Sequence, residues 1–320
     1  MAEKEFAYAV ARIRCKEMTL LDSAFLEQLV GAKDEDDCLR LLVEKGWESA
    51  PAEEMLDAEE EKTWALIREL VPDQPELFDA LLYEADFHNA KAAVKAVCMN
   101  ADPARLFLPR GTADAMELYR AVKEREWDAL PEHLREAAHE AFDTLLHTQD
   151  GQLCDVILDR AALDAILTAA KRSGSELLES WAERKVAAAD MKTAVRCART
   201  GKPLSFARRA LAPCATLDAD ALAQAAAEGE EELTAYLAGT PYAETAKALE
   251  ESFSTFERRC DNLLIEEIRP QKYNPFTVSP LAAYVLAREN EVKCVRVILS
   301  GKRNGLSEQS IREKVRETYV

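Results

Sequence analysis

The chain has 320 residues, 48% hydrophobic and 31% charged, with a formal net charge of −18. That hydrophobic share excludes a disordered chain, and the acidic balance argues against a broad nucleic-acid-binding surface. Gly (10) and Pro (12) are few, good helix formers dominate and no alternating β-branched run occurs, so the expected fold is all-α.

In chain order, the first helix is expected over 4–17, with Phe6, Val10 and Ile13 at helical spacing. Segments 23–30 and 34–45 follow, the second ended by Gly46. Ser49-Ala-Pro-Ala-Glu53 reads as a helix start. Pro72 and Pro75 break that helix, and 76–99 gives the next one. The stretch 101–112, with Pro103, Pro109 and Gly111, is a joint. Helices are then expected over 114–126, from Pro131 to Asp150-Gly151, through 161–170, and over 177–199 until Gly201 and Pro203. The last third reads as 218–237, 242–268 and 280–300, followed by a Gly301–Gly305 turn and a final helix capped by Ser307.

One pattern recurs about every hundred residues: DFHNAKAAVK, AAADMKTAVR and ARENEVKCVR. With Asn89, Asp190 and Asn290 as position zero, position +5 is Val94, Val195 and Val295, and position +6 is Lys95, Arg196 and Arg296. Lys91, Lys192 and Lys293 fall at +2 or +3. A second echo pairs Asp155 in QLCDVILDR with Asp261 in RRCDNLLIEE. Threefold repetition points to a scaffold divided as 1–110, 111–210 and 211–320. The first segment is the acidic one, with 24 acidic against 13 basic residues.

Candidates for chemistry are few. His139, Asp143 and His147 share a helix face at i, i+4 and i+8, and could approach a transition metal. The spacing does not match H-E-x-x-H, and the ordinary reading is a solvated polar stripe. SGKRNG lacks the first glycine and the Ser/Thr of a phosphate loop. The eight cysteines are scattered without C-x-x-C spacing, which reads as reduced core thiols of a cytosolic protein rather than a zinc site. Apolar runs such as Ala282 to Ala287 fall far short of the ~20 residues that cross a bilayer, and the N-terminus lacks a signal-peptide pattern. No catalytic, cofactor or metal residue is expected, and no small-molecule substrate.

Charge is more informative. Between Arg184 and Arg209 lie eight basic residues and one acid, Asp190. From Arg288 onward there are eight basic and five acidic residues. Such patches either steer and orient an acidic partner or serve as solvated, internally paired faces. The candidates for partner contact are Lys95, Lys192, Arg196, Arg199, Lys293, Arg296, Lys302 and Arg303.

The opening YAVARIR and the ending NPFTVSPLAAYVLARENEVKCVRVILSGKRNGLSEQSIRE resemble the C subunit of the rotary V/A-type ATPases, which is the d subunit of the eukaryotic enzyme. Tyr284, Glu289, Asn290, Glu291, Val292, Arg296, Gly301, Lys302, Asn304, Gly305, Leu306, Ile311 and Arg312 fit that family's closing signature. The resemblance is strong over the last fifty residues and thin elsewhere. It implies a funnel of three similar helical subdomains with pseudo-threefold symmetry. It also implies a non-catalytic rotor part on the cytoplasmic face of the membrane, joining the D and F shaft subunits to the membrane rotor ring (the c-ring, built of K/c protomers) and passing torque for proton or sodium transport. A generic helical-repeat scaffold is the alternative reading, and a helical metal enzyme using the His139 face is a distant third.

Overall fold

The computed structural model describes residues 6–320, and all regular structure among them is helical. The α-helices are α1 (Ala7–Glu17), α2 (Ser23–Val30), α3 (Glu35–Glu44), α4 (Ala52–Leu70) and α5 (Asp79–Met99). Next come α6 (Ala115–Glu124), α7 (Glu132–Thr148), α8 (Gly151–Ser173), α9 (Glu176–Thr200), α10 (Leu204–Ala210), α11 (Ala219–Glu228) and α12 (Glu230–Ala238). The last are α13 (Ala243–Ala246), α14 (Phe253–Ile268), α15 (Ser279–Arg303) and α16 (Glu308–Arg312).

Many of these helices start where a short polar side chain meets free backbone amides. Asp22, Asp34, Asp114, Asp150, Asp218, Ser252 and Ser307 each accept a hydrogen bond from the first turn, which satisfies donors that the helix itself leaves open. Proline stands at the start of α4, α7 and α10, where its missing N–H costs nothing.

The chain forms two compact units. The first takes in the chain up to Pro75, Ser175–Trp181 and Glu244–Val320, and the second Glu76–Gly174 and Ala182–Ala243. In the first unit α15 packs on α2, α3, α4 and α14. Its core includes Leu29, Leu42, Leu56, Val295, Ile298 and Ile311, all fully shielded from solvent. In the second unit α5 lies against α6, α7 and α8, while α10 touches α8 and α11. Phe78, Leu134, Leu158 and Met191 are among its largest fully buried side chains.

Some boundaries differ from the sequence expectation: α8 starts at Gly151, capped by Asp150, and not at 161, and other differences have equally local reasons. The helix expected over 218–237 divides at Gly229, whose φ of +145° a helix cannot contain. The one expected over 242–268 is interrupted at Ser252, which is extended and caps α14 through the Thr255 amide. The last long helix does not stop at Ser300 but runs to Arg303. Gly301 lies inside it because a Cβ there would come within 2.6 Å of the Ile311 side chain. The short helix Leu204–Ala210 had no sequence expectation; Gly201 and Pro203 masked it. The first two residues of the helix expected over 4–17 lie outside the described residues.

Candidate partner-contact surface on the motif helices

The recurring pattern lies in α5, α9 and α15. Its +4 and +5 residues are fully buried in every copy: Ala93 and Val94, Ala194 and Val195, Cys294 and Val295. Position +1 is buried too, as Ala90, Met191 and Glu291. Spacing of +1, +4 and +5 traces one helical stripe facing the core.

Position zero, used above only to set the register, has a shared task. Asn89 accepts from the Leu108 amide at 2.8 Å and donates to the Leu108 carbonyl at 3.0 Å. Asp190 Oδ1 accepts from the Ala212 amide at 3.1 Å. Asn290 donates to the Glu317 carbonyl at 2.9 Å, while the Glu317 amide is met by Asn262 at 3.0 Å. In each copy, therefore, the side chain at position zero ties its helix to the backbone of a segment that follows 19, 22 or 27 residues later. The first copy adds Asp86, fully buried. It accepts from the Thr112 amide (2.8 Å), the Thr112 hydroxyl and the Ala113 amide (3.3 Å), and its Oδ2 lies 3.0 Å from His133 Nε2. His133 stacks on Tyr83 with ring centroids 3.9 Å apart. Gly111 is needed here, since a Cβ would fall 2.2 Å from Asp86 Oδ1.

The basic candidates line the outer edge of this stripe, and most have a partner within the chain. Lys95 pairs with Asp155 at 2.5 Å, and Lys91 with Asp159 on the same helix, α8. Arg296 meets Glu53 at 3.2 Å. Arg199 holds Glu230 through two nitrogens, at 2.9 and 2.7 Å, and this keeps the Glu230 carboxyl below its ordinary range. Lys302 donates to the Val30 and Ala32 carbonyls at 2.5 and 2.6 Å, closing the C-terminal end of α2. Arg303 pairs with Glu35, whose carboxyl it lowers by hydrogen bonding. Lys192, Arg196 and Lys293 are engaged as well. The second sequence echo is functional in the same sense: Asp155 meets Lys95, and Asp261 meets Arg316 at 2.7 Å.

The remaining candidates give no constellation for chemistry. His139 lies 3.4 Å from Asp143 and stacks on Trp127 at 4.6 Å. Among the described residues, no three His, Cys, Asp or Glu side chains are arranged to hold a metal ion. None of the described helices is long and apolar enough to cross a membrane. An open groove of about 870 Å³ between α7 and α8 is rimmed by charged side chains, several of them paired, such as Arg209 with Glu140 at 2.7 Å.

Sequence reasoning missed Asp86, His133 and a buried charge cluster in the first unit. There Arg288 and Glu291 pair, with Glu59 3.9 Å from Arg288 and the Leu21 amide donating to Glu291 at 2.5 Å. Nothing in the spacing of these residues announces their burial.

A family model described as ATP synthase (C/AC39) subunit matches residues 9–314. The chain belongs to this family. Similar proteins include the C subunit of the V-type sodium ATPase of Enterococcus hirae, 24% identical over 96% of this chain and 97% of that one. The C subunit of the V-type ATP synthase of Thermus thermophilus is 26% identical, with 97% and 98% covered. The C subunit of the A-type ATP synthase of Methanocaldococcus jannaschii is 24% identical, with 96% and 85% covered. Matches of this length embrace both compact units, so the C/AC39 assignment applies to the whole helical chain and not only to its closing signature.

Proposed function

We propose that this C/AC39 chain is a non-catalytic adapter in the central rotor of a V/A-type ATPase or ATP synthase. It links the D and F shaft subunits to the membrane rotor ring, on the cytoplasmic side, so that torque couples ATP turnover to proton or sodium movement. The observation that carries the reading is the family match over residues 9–314. The three segments 1–110, 111–210 and 211–320 act as quasi-equivalent bundles, a reading supported by the like clamps of Asn89, Asp190 and Asn290. A torque adapter must be stiff, and side chains that bind backbone across loops stiffen joints that would otherwise flex.

In this reading the outer basic edges of α9 and α15 serve two roles, pairing within the chain and presenting net positive charge to acidic partner loops. Exposed pairs such as Arg296–Glu53 contribute little to folding, so their charge is available for contact at small cost. The test is co-purification of the full chain with a D–F shaft complex and with detergent-solubilised ring. The wild type binds both, and joint reversal of Arg196 and Arg296 to glutamate weakens binding without unfolding the chain. A wild-type chain that binds neither partner overturns the adapter reading and leaves a generic helical scaffold.

A further inference from the structure

Asp190 holds the register of Asn89 and Asn290, yet it is the one acid among the three. It is 1% exposed. Its Oδ1 accepts the Ala212 amide, while Oδ2 is buried with no hydrogen-bond partner among the described residues. At Asp190 the amide contact alone is kept, whereas Asn89, in the first copy, gives one acceptor to an amide and one donor to a carbonyl. A neutral carboxylic acid offers that same pattern, with a lone pair on one oxygen and a proton on the other. An ionised one offers two acceptors, and would leave a desolvated charge against a single donor.

The charged and titratable neighbours do not rescue the ionised form. Asp164 and Arg160 reach the site from α8 with opposite effects and lie 3.9 Å apart as a pair of their own. Cys214, beyond α10, is itself raised, mainly by burial. Glu183 on α9 is committed to Thr216, accepting from its amide at 2.8 Å and its hydroxyl at 3.0 Å. Burial accordingly pushes Asp190 up to about 8, against the pull of the Ala212 amide.

We propose that Asp190 is carried as a protonated stand-in for asparagine, which makes its contact with Ala212 a proton-dependent latch on segment 211–217. The closed latch retains its proton; the open one, in water, releases it in the ordinary aspartate range near ~3.9. Opening therefore releases one proton between about pH 4 and about 8 and is favoured roughly tenfold for each pH unit in that window. Above about 8 the closed form ionises too and the dependence flattens. The clamps built on Asn89 and Asn290 have no such group at position zero.

The test is amide hydrogen exchange of the full chain at steps from pH 5 to pH 8, corrected for intrinsic exchange and read in peptides covering 211–217. In the wild type the opening constant rises about tenfold per pH unit; in Asp190→Asn it is flat. Asp164 and Glu183 remain in that variant, so an equal slope in both proteins assigns the effect to them and overturns the proposal. A flat wild type overturns it as well. Infrared spectroscopy gives a second readout: at pH 6 the wild type shows a carboxylic-acid carbonyl band that Asp190→Asn lacks, and absence of that difference defeats the idea independently of any local opening.

Discussion

Asp86 and Asp190 lie in the same compact unit, each on a motif helix, and are 0% and 1% exposed. Their surroundings are opposite. Asp86 faces two backbone amides, a hydroxyl and an imidazole, all brought in by the loop after α5 and by α7. Asp190 faces one amide, and among the described residues its second oxygen has no hydrogen-bond partner. The first carboxyl group meets donors at both oxygens and organises them; burial pushes the second toward its uncharged form. Burial of an acid is thus not one condition but two, distinguished by counting donors.

A third buried acid extends the contrast and carries the largest expected effect. In the other unit Glu291 is compensated by a cation, Arg288, which is 3% exposed and also approaches Glu59. Burial raises the Glu291 carboxyl, and Arg288 and the Leu21 amide work against that rise. Arg288→Met keeps the volume and removes the charge, leaving buried Glu291 without its cation, while Glu59 keeps Lys62 at 2.6 Å. The expected loss is about 3–5 kcal/mol in urea denaturation. A loss below about 1 kcal/mol would show that the cluster is compensated some other way.

The two aspartates respond to one substitution with opposite signs. Asp86→Asn keeps one oxygen for the Thr112 and Ala113 amides, which both meet Oδ1, but sets amide hydrogens where Oδ2 meets the Thr112 hydroxyl and His133, and destabilises by about 1–3 kcal/mol. Asp190→Asn keeps the acceptor for the Ala212 amide, removes a buried carboxyl that would otherwise ionise, and stabilises by about 1 kcal/mol near pH 8. The sign follows from linkage. A folded pKa of about 8 lies above the unfolded value, so wild-type stability falls as pH rises toward 8, and the variant does not share the fall. The advantage of Asp190→Asn therefore falls by about 1.4 kcal/mol for each pH unit below 8 and reverses sign toward pH 4. Thermal melts at both pH values read it directly, and destabilisation by Asp190→Asn at pH 8 would erase the distinction between the two sites.

Much of this architecture could be read before any coordinates. The helices announced themselves by apolar spacing and by Asp or Ser caps, and the stripe at +5 was visible as three valines. The clamps were not legible, because their partners are backbone groups of Leu108, Ala212 and Glu317. Every residue has a carbonyl and almost every one an amide, so a side chain that binds backbone leaves no mark on its partner's identity. Pairs such as Lys95 with Asp155 were equally hidden. The echo of Asp155 and the echo of Lys95 were each visible, but only packing of α5 on α8 joined them. Helix α10 escaped because seven residues between Pro203 and Leu211 give too few turns to show a period.

The smallest effect separates two roles for the basic edge. Lys95 and Asp155 are each about one-third exposed and 2.5 Å apart, so Lys95→Glu costs the chain no more than about 1 kcal/mol. Swapping both, Lys95→Glu with Asp155→Lys, rebuilds the pair with its polarity reversed and returns stability to within a few tenths of a kcal/mol of the wild type. If Lys95 acts only inside the unit, the double swap also restores assembly with shaft and ring. If its charge is read by a partner, the swap recovers the fold but not the complex, because the partner meets the wrong sign at α5. The divergence of the two readouts, and not the size of either, is what assigns this residue to the interior or to the interface.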